Sequence, residues 1–199
     1  MNNQIRQPKQ GRSIETKNKI IDAGYKLFSE VGYYGTNTAE IAKFAGVSTG
    51  IVYGYFKDKR DILISVLAIY IEKVFEPLLK KLDGVKAPLN LEGFVAGILD
   101  EVIKTHKKNR KMHEALHSLA GNDELVSSEF IRLEDDITVK IAEKLPSLGI
   151  VLDSPLEKVH FAMDIIQSFS HEFVFDKHDY IDYSKMRDMV IKTIIDLFN

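Results

Sequence analysis

The sequence predicts an all-α protein with a small N-terminal domain of three helices and a larger C-terminal helical domain. Apolar residues recur at intervals of three and four along nearly the whole chain, which is the spacing of one helix face. Glycine and proline interrupt that spacing where helices should end. No run of alternating apolar and polar residues indicates a strand. We therefore expect a basic tail over 1–12, a first domain over 13–60 and a second over 61–199.

Composition excludes several classes of protein. The chain has 199 residues, of which 45% are hydrophobic and 28% charged, an ordinary balance for a globular protein. The absence of cysteine excludes a disulfide framework and a thiolate zinc site. The polar N-terminus does not resemble a secretory signal, and the longest apolar stretch, 62–71, is half of the about 20 residues that a membrane span needs. We expect a cytoplasmic protein with no membrane contact.

Charge is distributed unevenly along the chain. Residues 1–60 carry ten basic and five acidic side chains, whereas the remainder carries 17 basic and 24 acidic ones. A basic front on an acidic body indicates a polyanionic partner for the front alone. Chance variation in surface charge would give the same numbers. The charge distribution alone therefore does not decide whether the front of the chain binds a polyanion.

Helix signals are dense in the first 60 residues. A first helix should end at Gly32. Asn37 followed by Glu40 resembles a capping box and predicts a short helix from Thr38 to Ala45. Gly46 breaks that helix, and Ser48 caps a second short one that reaches Tyr55.

The rest of the chain predicts longer helices. One begins at Asp58, and Pro77 should kink or divide it. A junction is expected near Asn109, and Ser154-Pro155 is a strong helix start because proline at the first position has no hydrogen bond to lose. The other predicted helices cover approximately 90–107, a stretch to 119, 125–145, 155–176 and 183–198.

The segment from Asn37 to Phe56 carries the functional prediction. Two short helices joined at Gly46-Val47-Ser48 form the arrangement that a DNA-reading helix-turn-helix needs. The first helix braces the second, which must be short and exposed to enter the ~12 Å major groove. Ala42 and Ala45 are small enough to let the two helices pack closely.

Residues Thr16 to Leu63 resemble the N-terminal domain of the tetracycline-repressor (TetR) family. The family pattern matches in register, without a gap, at Gly32-Tyr33, Thr36, Ile41-Ala42, Ala45-Gly46-Val47-Ser48, Gly50, Tyr53, Tyr55-Phe56, Lys59 and Leu63. Asn37 replaces a threonine of the pattern, and either residue can cap a helix. The dense match covers about a quarter of the chain.

This resemblance implies a set of DNA contacts. Serine, threonine and glycine at the helix starts would approach phosphates, and the tyrosines would reach phosphates or thymine methyl groups. Lys59 lies in the first turn of a helix, where a cation is unfavourable, and a phosphate contact would explain its presence there. The implied contacts are Thr38, Ser48, Thr49, Gly50, Tyr53, Tyr55 and Lys59. Packing in the core is the alternative for each tyrosine. Arg6, Lys9 and Arg12 would enter a minor groove or form a solubilising tail.

The last two helices are apolar on more than one side. The resemblance implies that they form a four-helix interface between two copies of the chain, with an intramolecular core as the alternative. The residues expected in that interface are Met163, Ile166, Phe173, Met186, Val190 and Ile194.

Five residues are candidates for binding a small molecule or supporting a different chemistry. His113-Glu114-Ala115-Leu116-His117 matches the H-E-x-x-H zinc-peptidase pattern, but the longer metzincin pattern fails at Ala120 and Asp123. An unbroken helix would place three histidines on one face, where they would line a ligand or metal-sensing cavity; the alternative is that they are surface or packing residues. The candidates are His106, His113, His117, Phe130 and Phe169.

These observations predict a homodimeric repressor that a small-molecule effector releases from a palindromic double-stranded DNA operator. No catalytic residue, metal or cofactor is expected. The alternatives are a zinc-dependent hydrolase that uses residues 113–117, and a DNA-binding dimer without an effector.

Overall fold

The structure is a computed structural model that describes residues 11–199, with the backbone alone described for residues 71–78. The expected tail residues Arg6 and Lys9 lie outside the described residues. Throughout the described range the regular elements are helices, which confirms the predicted fold class.

The helices have the following bounds. They are α1 (Gly11–Glu30), α2 (Thr38–Phe44), α3 (Thr49–Tyr55), α4 (Lys59–Asp83), α5 (Leu91–Lys108), α6 (Arg110–Ala120), α7 (Glu124–Lys144), α8 (Pro155–Phe175) and α9 (Tyr183–Phe198), with a 3₁₀ helix at Leu145–Leu148. The junction at Asn109 and the helix start at Pro155 are confirmed. Pro77 does not divide α4, which is one helix of 25 residues. The helical backbone continues through Pro77, although proline removes one backbone hydrogen bond.

The chain forms two compact units. The first contains the described residues up to Lys73 together with Asn109–Ser128, and the second contains Val74–Lys108 and Glu129–Asn199. These two units are defined by contacts between residues. The domain boundary expected between residues 60 and 61 was based on the sequence motif, and it stays a prediction.

In the first unit, α1 packs closely against the start of α4. Ile20, Phe28 and Ile62 are fully buried there. A Cβ atom added to Gly24 would lie only 2.7 Å from Ile62 Cγ2, so the missing side chain permits the close approach. This packing supports the two short helices α2 and α3.

In the second unit, α5, α8 and α9 surround one apolar core. Leu99, Phe169 and Ile194 contribute one fully buried or nearly fully buried side chain from each helix. A smaller cluster around Ala142, Leu145 and Val159 joins α7 and the 3₁₀ helix to α8.

Candidate nucleic-acid interface

The start of α2 and the turn that leads into α3 are both determined by local features of the chain. Asn37 Oδ1 accepts from the Glu40 backbone N–H, and Glu40 Oε2 accepts from the Asn37 N–H, each at 3.0 Å. This is the predicted capping box. Gly46 has a φ of +69°, a left-handed conformation that favours glycine. The sequence therefore determines where α2 begins and how the chain turns into α3.

Helix α3 has an inward and an outward side. Ser48 Oγ caps it by accepting from the Ile51 N–H at 3.4 Å. Val52 is fully buried, whereas Ile51 and Tyr53 are 43% and 44% exposed. The outward side of α3 is therefore available to a partner, as the motif predicts. Ile51 was missed in the sequence analysis, although its place one residue before the buried Val52 was a usable signal.

The predicted contact residues at the helix starts lie near the surface. Ser48 and Gly50 are exposed, and Thr38 and Thr49 are partly exposed. The carboxylate of Glu40 already accepts a backbone N–H at the start of α2, where a phosphate was expected near Thr38. The roles of these residues at DNA stay predictions.

The predicted role of Tyr55 as a DNA contact needs a correction. It is only 8% exposed, and its hydroxyl lies 2.9 Å from Ser13 Oγ on α1. Tyr55 therefore anchors the end of α3 to the first turn of α1, which is the packing alternative. The sequence could not separate the two roles, because Ser13 lies 42 residues away.

The predicted role of Lys59 as a phosphate contact also needs a correction. Its Nζ donates to the backbone carbonyl oxygens of Tyr33 at 2.7 Å and Thr36 at 2.8 Å, and it lies 4.2 Å from the centre of the Tyr33 ring. These contacts use two of the three N–H donors of the ammonium group within the fold. They also explain a cation in the first turn of α4 without any phosphate.

Other cations lie beside α3. Lys17 Nζ is 5.6 Å from the centre of the Phe56 ring, directly after α3. Lys57 is exposed, and its ammonium group forms no ion pair with any described residue. Arg12 is exposed next to Ser13, which contacts the end of α3. Lys17 was not among the predicted contacts, because its nearness to α3 depends on how α1 packs. Lys57 was not among them either, although it follows the end of α3 by two residues in the sequence.

A bidentate ion pair joins α4 to the start of α7 in the first unit. Arg60 donates through Nη2 to Asp123 Oδ1 at 2.8 Å and through Nε to Oδ2. Asp123 also accepts from the backbone N–H groups of Leu125 and Val126. The Arg60 guanidinium lowers the pKa of the Asp123 carboxyl below its ordinary value. Asp123 thus caps α7 and holds α4 at the same time.

The H-E-x-x-H residues are part of the first unit's packing. His113 is buried, its Nδ1 lies 3.3 Å from the Tyr70 hydroxyl, and its ring packs against His117 with centres 4.0 Å apart. Glu114 is exposed and accepts a hydrogen bond from Arg110. In the part of the chain that the structure describes, no group of three His, Asp or Glu side chains could hold a metal ion. The zinc-hydrolase alternative is not supported.

The third histidine belongs to the other unit. His106 lies in α5, where its Nδ1 donates to the Val102 carbonyl oxygen at 2.9 Å. Burial lowers the pKa of His106 and favours the neutral ring. The helix junction at Asn109 means that the three histidines do not share one uninterrupted helix face, because α5 ends before α6 begins.

Of the six residues expected in the dimer interface, the buried Ile166, Val190 and Ile194 need a correction, whereas Met163, Phe173 and Met186 stay predictions. Ile166, Val190 and Ile194 are buried in the second unit's own core, and Met163, Phe173 and Met186 are only partly exposed and pack against core clusters. The sequence showed that α8 and α9 are apolar on more than one side, but it could not say which side faces α5. The large apolar side chains that these two helices expose are Leu156, Phe161 and Met189.

A cavity of about 120 Å³ lies inside the second unit. It is bordered by α5, α7, α8, α9 and the end of α4, and Gln167 is the one polar residue in its described lining. None of the five ligand candidates is in that lining. Phe169 instead belongs to the α5–α8–α9 core, and Phe130 is partly exposed on α7.

The first unit therefore holds a helix-turn-helix domain whose second helix is exposed on one side. Residues 20–66 match the sequence model of the bacterial regulatory proteins of the tetR family. The chain carries the N-terminal domain of that family, as the motif residues predicted.

Characterised relatives match over the same part of the chain. The regulator HbdR from Aromatoleum sp. (strain CIB) is 41% identical over 75 residues, which are 38% of this chain and 33% of HbdR. The regulator BetI from Escherichia coli O45:K1 is 34% identical over 97 residues, 47% of this chain and 50% of BetI. The matched part thus spans a third to a half of these relatives' lengths.

Solved structures match over nearly the whole chain at low identity. A TetR-family transcriptional regulator from Mesorhizobium loti has a TM-score of 0.70 and 18% identity, and covers 94% of this chain and 97% of its own. A transcriptional regulator from Saccharomonospora viridis in complex with choline has a TM-score of 0.70 and 15% identity, over 92% and 96%. These likenesses establish the fold of the second unit. Within the described residues, none of the helices is long and apolar enough to cross a bilayer.

Proposed function

We propose that this protein is a DNA-binding transcriptional regulator that acts through the outward side of α3. The observation that carries the proposal is the exposure of Gly50, Ile51 and Tyr53 on a helix that Val52 and Tyr55 anchor from the other side. A reading helix needs this combination, because it must enter a groove without losing its own position. The cytoplasm is the expected place of action.

We place phosphate contacts at the cations beside α3. Arg12, Lys17 and Lys57 lie next to its end, whereas Lys59 is occupied by two backbone carbonyl groups. Contacts to phosphates release counterions, and each one contributes about 0.9 to the slope of log affinity against log salt.

The test has two stages. First, the purified full-length chain is used to select duplex sequences from a random pool in dilute salt, and enrichment of a palindrome is expected. Second, the salt dependence of binding is measured for Lys57→Ala and Lys59→Ala. Lys57→Ala should flatten the slope by about 0.9 per bound protomer, and Lys59→Ala should leave it unchanged. The absence of any duplex binding would refute the proposal.

The active species in this proposal is a homodimer that places one α3 in each of two successive major grooves, about 34 Å apart. Phe161 on α8 and Met189 on α9 support it, because they are 54% and 66% exposed on the helices that the resemblance assigns to the interface. Sedimentation of Phe161→Glu with Met189→Glu should give monomers. Leu125→Glu, at an exposed apolar position in the first unit, is the matched control and should leave the dimer intact.

Repression relieved by a small effector is the mechanism that the family resemblance favours. The cavity in the second unit supports it, since a largely apolar cavity with one polar group is typical of a ligand site. A regulator without an effector is the alternative. Operator affinity that no bound compound changes would favour that alternative.

A further inference from the structure

The cavity in the second unit has a chemistry that restricts what it can hold. Every described side chain that lines it is apolar except Gln167, an amide on α8. A charged group buried among such side chains would lose its hydration without gaining a partner, which is costly. The lining therefore selects against ions.

The aromatic residues of the cavity also argue against a quaternary ammonium ligand. Cations of that kind are held in cages of several aromatic rings, of which Trp binds best and Tyr or Phe also bind. In the described lining the aromatic residues are Phe94 and Phe198, and no carboxylate is present. The bound choline of the Saccharomonospora viridis regulator is therefore a poor guide to this chain.

The size of the cavity defines the ligand further. Its volume is about 120 Å³, and an apolar cavity of about 150 Å³ lined by similar side chains binds benzene. The side chain of Gln167 forms no hydrogen bond with any described residue, so its amide can both donate to and accept from a guest.

We propose that the second unit binds a neutral, mainly apolar small molecule the size of one six-membered ring, with one hydroxyl or carbonyl group at Gln167. This ligand class rests on the effector part of the proposed function. In this proposal the cavity recognises its effector by the effector's volume and by one hydrogen bond, and the effector carries no charge.

The test compares four probes of known chemistry with the full-length chain in the absence of DNA. Benzyl alcohol and toluene should raise the Tm, and benzyl alcohol should bind about threefold to tenfold more tightly, as one net hydrogen bond allows. Choline and hexanoate should have no effect. Gln167→Leu should remove the advantage of benzyl alcohol over toluene, whereas the control Ser168→Leu, at an exposed neighbour on α8, should retain it.

Three results would overturn this assignment: a Tm rise with choline or hexanoate equal to that with benzyl alcohol, no rise with either neutral probe, or an advantage that persists in Gln167→Leu. Ala162→Leu, which fills the cavity, should abolish both shifts. If Ala162→Leu does not fold, the comparison of Gln167→Leu with the wild type still tests the assignment. Because these measurements need no duplex, a chain that binds the probes but no DNA would refute the proposed function alone.

A second inference concerns how α3 distinguishes bases. Its seven residues, Thr49–Tyr55, include no Arg, Lys, Asn, Gln, Asp or Glu. Bidentate hydrogen bonds to guanine or adenine require those side chains. Sequence recognition by α3 must therefore use other chemistry.

The outward side of α3 offers one prominent aliphatic group. Ile51 is 43% exposed, while Gly50 and Gly54 carry no side chain, and a Cβ at Gly54 would meet no atom within 4 Å. Tyr53 is exposed to a similar degree and can direct its hydroxyl to a phosphate. In the major groove, the apolar feature on base edges is the 5-methyl group of thymine.

We infer that Ile51 reads a thymine methyl group in each half-site, and this inference also rests on the proposed function. The selected operator is made with deoxyuridine at one thymine at a time, which removes the methyl group and preserves pairing. Wild-type affinity should fall about fourfold at one position per half-site, the value of one buried methyl-sized group. In Ile51→Ala that loss should disappear at the same position. Ile131→Ala, at an exposed isoleucine on α7, should behave like the wild type.

Two outcomes overturn the inference about Ile51. One is an operator that tolerates deoxyuridine at every thymine, and the other is a methyl dependence that survives in Ile51→Ala. Failure of the selection to enrich any duplex would instead refute the DNA-binding function itself.

Discussion

In the first unit the residues proposed to bind DNA lie on the outside of a seven-residue helix, whereas in the second unit the residues proposed to bind a ligand line a partly open cavity. Ile51 contributes to the surface, while its neighbour Val52 is fully buried. In the second unit, Ala162 and Ile166 belong to the core and also line the cavity. Recognition and stability should therefore be separable in the first unit and coupled in the second.

A substitution of Lys59 should have the largest effect on stability, and it tests whether recognition and stability are separable in the first unit. Lys59→Met keeps the aliphatic stem but loses both hydrogen bonds to the turn before α2. We expect the free energy of unfolding to fall by about 1.5–3 kcal/mol, the range for a hydrogen bond to a charged group. Urea denaturation measures it, with Lys57→Met as the control that should change little. Equal stabilities of the two variants would contradict the assignment of Lys59 to the fold.

Gly24 tests the close approach of α1 and α4. Gly24→Ala adds a Cβ at 2.7 Å from Ile62 Cγ2, and overpacking of this kind costs about 1–3 kcal/mol. Gly121→Ala, where a Cβ meets no atom within 4 Å, is the matched control. Thermal denaturation should give a lower Tm for the first variant only. An unchanged Tm for Gly24→Ala would show that α1 can shift without cost.

Asp123 combines a helix cap with an ion pair, and pH separates the two. Asp123→Ala removes both the ion pair and the cap, and the loss of the cap alone costs about 1 kcal/mol. Asp123→Asn keeps an oxygen for the cap but loses the charge that pairs with Arg60.

Because Arg60 lowers the pKa of Asp123 in the folded state, the stability from this charge is fully present above the ordinary aspartate pKa of about 4. It is lost as the pH falls through the lowered value. The difference in Tm between wild type and Asp123→Asn should therefore be constant near pH 7 and vanish in acid. A difference independent of pH would contradict the ion pair.

Gly50 should show the smallest change in stability. Gly50→Ala meets only Ser48 Oγ, at 3.9 Å, so the fold accepts it and α3 gains about 0.5–1 kcal/mol in helix propensity. The same methyl group lies where DNA should approach, so operator affinity should fall several-fold. Fluorescence anisotropy and urea denaturation measure the two effects. A variant with unchanged affinity would remove Gly50 from the contact surface.

The helices and their limits could be predicted from the sequence because their signals are local. The capping box of Asn37 and Glu40, the left-handed turn at Gly46 and the helix start at Pro155 each depend on residues within a few positions. The same local pattern identified the helix-turn-helix and its family.

The roles of individual side chains depended on residues far apart in the chain. Ser13 determines that Tyr55 is an anchor, the carbonyl groups of Tyr33 and Thr36 determine that Lys59 is occupied, and the packing of α5 determines which side of α8 is buried. Periodicity shows that a helix side is apolar, but it does not show what covers that side. The sequence alone thus determined the helices, the motif and the family domain. Only the tertiary structure decided which side chains face outward, because burial is a property of the packed chain.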